Sequence, residues 1–281
     1  MESQKSESMS IAPTSQISAA LMLAKREWLR FFRQRNRVVG AVVQPLLFWL
    51  LFGAGLRNSF QGAGGQSFLE YFLPGTIALV VLFTAIFATI SVIEDRREGF
   101  LQGVLVAPVS RYAILAGKVL GGGAIAWVQA LAFLLLTVAI GTAPAGWNVI
   151  PAAALLAIMS ATLVGVGMVI AWPMDSTQGF HAIMNLVLMP MWLLSGAFFP
   201  IPAAASQGVG AIGLHWIMRL NPLSYSMMEL RRLLYPNIDL QAAGWAPSRV
   251  FCWTVSFAAM LVVLGLAGWL MNRRTKADAL V

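Results

Sequence analysis

The chain has 281 residues, 59% of them hydrophobic and 11% charged, against the roughly 25% charge that keeps a soluble domain solvated. Its mean hydropathy of +0.76 excludes a water-solvated globule and makes lipid the solvent that its surface requires. The 19 Lys and Arg exceed the 11 Asp and Glu by a net +8, a balance that the positive-inside rule explains without any nucleic-acid partner.

Residues 1–16 are polar, with no apolar core behind a basic start, and are expected to form a disordered cytoplasmic tail rather than a cleaved leader. Residues 17–37 follow as an amphipathic helix. Ile17, Leu21, Ala24, Trp28, Phe31 and Phe32 recur at three- and four-residue steps, with Arg26, Arg30 and Arg33 on the opposite face. Such a helix is expected in the membrane interface, cations near anionic headgroups. It serves as an anchor, as a docking surface for a cytoplasmic partner, or as both.

Residues 38–271 then hold six segments near the ~20 apolar residues that cross the hydrocarbon, at about 38–56, 72–93, 117–141, 149–172, 180–200 and 250–271. The fold class expected is therefore an all-α integral membrane protein with six transmembrane helices. With six spans, 14 of the 19 basic residues fall on one side: the stretch before the first span, the link between the second and third, and the tail at 272–281. Both termini are thus expected in the cytoplasm.

Between spans two and three, charged Glu94 to Glu98 lead into Phe100, Leu101, Val104 and Leu105 on one helical face, and Pro108 ends the run. A short cytoplasmic helix exposing Phe100 and Leu105 suits a partner contact better than a plain solvated loop. Asp175, between the fourth and fifth spans, is expected to cap a helix. Between spans five and six, Pro200 and Pro202 break the helix, and Asn221-Pro222 reads as a helix start with Leu223, Met227, Leu230 and Leu234 on one face. Short re-entrant or interfacial helices on the outer face are expected there. Trp216, Tyr225, Tyr235 and Trp245 are expected at headgroup level.

Chemistry is sparse. Gly117-Lys118 lacks the upstream glycine of a phosphate loop. His181 and His215 are expected on opposite membrane faces, and Cys252 is alone, so no metal site is expected. Ser195 with His181 and Asn185 would suggest an intramembrane serine hydrolase. However, fourteen helical residues separate Ser195 from His181, about 21 Å. The spans carry almost no ionisable residue away from their ends, which argues against an ion-driven carrier.

Glu98-Gly99-Phe100-Leu101-Gln102, then Ala107-Pro108-Val109-Ser110-Arg111 and Gly117-Lys118, resemble the cytoplasmic signature of ABC-2 type transporter permeases. Asn221-Pro222-Leu223-Ser224-Tyr225 with Arg231 resembles an element that the family carries after its fifth span. Phe100 and Gln102 stand where the family often has Thr and Glu. The resemblance covers about 20–271. It implies a non-enzymatic membrane subunit, paired with a second permease copy and with separate ATPase subunits that hold the ATP and magnesium. It implies ATPase coupling through Glu98, Gly99, Leu101, Pro108 and Arg111. It also implies export of a lipophilic, amphipathic or glycan substrate across a bacterial-type inner membrane. A membrane scaffold without transport is the alternative.

Overall fold

The computed structural model describes residues 15–55, 67–141, 146, 148–202, 208–237 and 245–273. The tails expected at 1–16 and 272–281 fall almost wholly outside these residues. Every regular element among them is helical.

Six helices are long and apolar enough to cross a membrane: α2 (Arg35–Gly55), α3 (Phe68–Arg97), α5 (Arg111–Ala139), α6 (Val149–Ala171), α7 (Thr177–Trp192) with the π-helical turn Leu193–Ala197, and α10 (Arg249–Asn272). α1 (Gln16–Arg33) precedes them, α4 (Phe100–Val106) links α3 to α5, and α8 (Val209–Leu220) and α9 (Pro222–Leu234) lie between α7 and α10. The expected interfacial segment 17–37 breaks earlier than the sequence suggests. Its helix ends at Arg33, and α2 already begins at Arg35.

α3 is the central post. Ser67 and Glu70 start it with a reciprocal capping box. It is apolar all round, so it is buried on every side and packs on α2, α5, α6 and α7. Small residues set the helix spacing. A Cβ on Gly122 would lie 2.8 Å from the Ala88 Cβ, and one on Gly167 would lie 2.5 Å from the Thr89 hydroxyl. Without a hydrophobic drive between helices in lipid, such close approach is what gains packing energy.

The α7 break has a visible cause. Pro190 removes a backbone donor, the helix widens into the π turn, and Gly196 takes φ 80°, a left-handed conformation that glycine adopts without strain. The expected fifth span at 180–200 thus starts earlier and ends in this turn. The Asp175 expectation is corrected here. Ser176 is the N-cap of α7, its hydroxyl accepting from the Gly179 amide at 3.2 Å, while Asp175 pairs with Arg96 at 3.1 Å. Asn221 does cap α9, with Pro222 at the first helical position. Tyr225, expected at the headgroups, is buried against Trp245 and Phe251.

Candidate partner-coupling site

The site lies where α3, α4 and α5 meet α1. α3 stops because Gly99 adopts φ 80°, its amide reaching back to the Arg96 carbonyl at 3.2 Å. The space around Gly99 is open, so backbone conformation, not crowding, selects glycine. α4 then runs for seven residues and ends at Ala107-Pro108, and Ser110 caps α5 through the Ala113 amide. Gln16 clamps this corner: its amide donates to the Pro108 carbonyl at 3.1 Å and accepts from the Ser110 amide at 2.7 Å.

The apolar side of α4 turns inward, against the expectation that Phe100 and Leu105 are displayed to a partner. Leu101 is buried, Phe100, Val104 and Leu105 are half-buried on the core, and the Arg26 guanidinium lies 3.6 Å over the Phe100 ring. What α4 shows outward is Glu98, Gln102, Gly103, Pro108 and Val106, the last 76% exposed. Of the five residues proposed from sequence, Glu98 and Pro108 are on the surface, Gly99 sets the turn and Leu101 anchors it. Arg111 donates to the Met271 and Arg273 carbonyls and so joins this corner to the end of α10.

A second correction concerns α1. Arg26 and Arg30 do not point to lipid headgroups. Arg26 forks onto Asp95 at 2.7 and 3.0 Å, and Arg30 reaches Asp95, Glu94 and Glu98. Arg37 adds a further bond to Glu94. Phe31, expected in the lipid stripe, is buried, whereas Ile17, Leu21 and Phe32 stay exposed. Burial pulls the Arg26 pKa down, but the hydrogen bonds and charge of Asp95 outweigh it and raise it above the ordinary arginine value. Arg26 therefore stays charged at any working pH.

Beneath these arginines lies a buried ionic cluster that the sequence reading missed. Lys118, 4% exposed, donates to Glu27 at 2.7 Å, to the Ser91 hydroxyl at 3.0 Å and to Asp95, which is 0% exposed. Ser91 also donates to Glu27 at 2.7 Å. Ionisable groups thus do enter the helix bundle, at its basic end. A signal was present. Glu27 stands alone among cations yet shares the face of Leu23 and Phe31, and Ser91 and Asp95 sit one turn apart on α3. α1 comes close enough for these bonds because Gly117 and Gly121 flatten α5. A Cβ on Gly117 would meet Leu23 at 2.7 Å, and one on Gly121 would meet Glu27 at 2.8 Å.

Beside this clasp runs a groove of about 580 Å³ lined by Met22, Lys25, Leu29, Arg33, Gln34 and Glu98 together with Arg26 and Arg30. Lys25 and Arg33 have no acidic partner among the described residues, so the groove carries positive charge beside exposed Met22 and Leu29.

The hydrolase alternative finds no support in the geometry. The Ser195 hydroxyl donates to the Trp192 carbonyl at 2.6 Å, while His181 lies in the second turn of α7, at its far end. Among the described residues no His, Cys, Asp and Glu group has metal-binding geometry.

The profile of the ABC-2 type transporter family matches residues 18–235. This chain belongs to that family. The match runs from α1 through α9 and so includes the α3–α4–α5 corner and the α9 motif. Relatives agree along most of their length. A transport permease, ycf38, of Cyanophora paradoxa is 23% identical over 92% of this chain and 89% of its own. The daunorubicin resistance ABC transporter permease protein DrrB1 of Streptomyces coeruleorubidus is 22% identical over 90% and 86%. Nodulation protein J of Rhizobium leguminosarum bv. trifolii is 27% identical over 72% and 76%. The ABC-2 permease is thus a multi-pass membrane subunit of an ABC transporter, and the family implies association with an ABC ATPase.

Proposed function

We propose that this permease exports a lipophilic, amphipathic or glycan-type substrate, driven by separate ATPase subunits that dock on α4 and the basic groove of α1, in a complex with a second permease copy. The basic end of the bundle is the cytoplasmic one on this reading, because Lys and Arg gather there. Both termini then lie in the cytoplasm of an inner-membrane protein, and ATP and magnesium belong to the partner.

The observation that carries the proposal is the construction of the corner. α4 is fixed inward by Leu101 and Phe100 while presenting Val106, Gln102 and Pro108 outward. α1 holds it, through Arg26 over the Phe100 ring and Gln16 on the Pro108–Ser110 turn, and α1 is itself bonded to Asp95 of α3 and Lys118 of α5. A push on α4 is therefore delivered to the spans rather than absorbed by a loop. Positive groove charge beside Met22 and Leu29 fits an acidic partner surface with apolar anchors. The exposed apolar faces of α2 and α10 suit lipid and a second copy.

Co-purification with a co-expressed ABC ATPase subunit tests the docking. Wild type retains the ATPase, and Val106→Glu with Gln102→Arg loses it while remaining inserted and folded. An ATPase retained equally by the variant would move the docking site elsewhere. A stable complex with no ATP-dependent flux of any amphipathic cargo would instead favour the scaffold.

A further inference from the structure

At the end of the bundle opposite α4, polar side chains of α9 converge on the broken end of α7. The π turn and Gly196 leave backbone carbonyls without helical partners, and α9 takes them one by one. The Asn221 amide donates to the Met191 carbonyl and Arg231 donates to the Gly196 carbonyl at 2.9 Å, while the Ser224 hydroxyl sits 3.3 Å from the Leu194 carbonyl with its shorter bond, 2.6 Å, to the Met218 carbonyl. The motif residues singled out in the sequence are thus a set of caps for the fifth span.

Arg231 differs from the other two. It is 5% exposed, and among the described residues no carboxylate lies within ion-pair distance. Its acceptors are the carbonyls of Gly196 and Tyr71, its guanidinium stacks 4.0 Å over the Tyr71 ring, and its Nε is buried without an acceptor. The Tyr71 hydroxyl donates to the same Gly196 carbonyl at 3.2 Å. One carbonyl therefore joins α3, the end of α7 and α9. The bodies on either side have their own anchors: α3 by its packing, α9 by Glu229 on Arg249, Arg232 on the Pro247 carbonyl and the Ser226–Ser256 pair. The glycine-hinged turn lies between them, tied to α3 through Tyr71 and to α9 through Asn221 and Arg231.

A buried guanidinium whose partners are two carbonyls and the Tyr71 side chain, with no carboxylate at ion-pair distance among the described residues, departs from the rule that buried charges are paired, and such departures gather at working sites. The geometry points to Arg231 as a positioning residue, a pin that holds the end of the fifth span closed against the second and that transport must release. The inference rests on the permease reading for its role in transport.

The test is passive leak, which needs neither ATPase nor cargo, so its failure is separable from failure of complex formation. The full chain is reconstituted in phosphatidylethanolamine and phosphatidylglycerol vesicles, and proton leak is followed with an entrapped pH dye without ATP. Loss of a charge-assisted hydrogen bond shifts an open–closed balance by about tenfold. Arg231→Met is therefore expected to raise leak by about that factor while it stays inserted and folded. Arg231→Lys, which can still donate to Gly196, is expected to restore most of the closure. Leak at the wild-type rate in an inserted, folded Arg231→Met would overturn the proposal. If Arg231→Met does not insert, Tyr71→Phe decides: it removes the second donor to the same carbonyl and keeps the ring. Raised leak supports the pin, and wild-type leak overturns it.

Discussion

Lys118 is the residue whose environment most constrains the account at the basic end. Removing one partner of a buried, hydrogen-bonded ion set leaves an uncompensated charge, which costs about 3–5 kcal/mol. Glu27→Gln and Lys118→Met are each expected to destabilise the protein by that order, measured by denaturant unfolding in detergent. The double variant should cost less than the two singles together, because neither charge is then left alone. Strict additivity would mean that the two side chains do not act as a pair. Gly99 is a different case. Nothing crowds it, so Gly99→Ala pays for the left-handed backbone alone, about 1–2 kcal/mol. The same unfolding assay reads that loss, and a stability unchanged from wild type would place α4 in another conformation. At α9, Asn221→Ala loses a helix cap worth about 1 kcal/mol and also strands the Met191 carbonyl.

Among the elements, α1 carries the largest difference between sequence and structure. Its amphipathic period is legible, and so is its start near Gln16. Which polar residues face inward is not legible, because that choice depends on where Asp95 and Lys118 arrive from helices about 70 and 90 positions away. A wheel drawn on one helix sees cations and assigns them to headgroups. Only the packed bundle supplies the carboxylates. α4 fails for the related reason that an apolar face on a short helix reads alike whether it meets a partner or the protein's own core. By contrast, Asn221-Pro222 is read correctly because capping is settled within four residues. The α1–α5 contact gives its own prediction. Gly117→Leu drives a side chain into Leu23 and Ala20, and overpacking of this kind costs about 1–3 kcal/mol. α1 should detach first, so trypsin is expected to cut at Lys25 or Arg26 faster than in wild type. Unchanged cleavage would show that the two helices are not held by this contact.

For the whole molecule, six spans join a charge-rich corner at one end to a carbonyl-capped break at the other, and on the proposed function these are the power input and the exit. The span count and the one-sided distribution of Lys and Arg were legible from composition, since lipid tolerates so few alternatives. On the proposed function, α4 is the input. Site-specific crosslinking tests it most directly, and the sole native cysteine, Cys252, is buried, so introduced cysteines can be read without background. Val106 and Leu135 are both exposed positions, one on α4 and the other near the far end of α5. Treated with a thiol-to-amine crosslinker beside the ATPase, Val106→Cys is expected to join it and Leu135→Cys is not. An ATPase captured from neither position, or equally from both, would contradict the account.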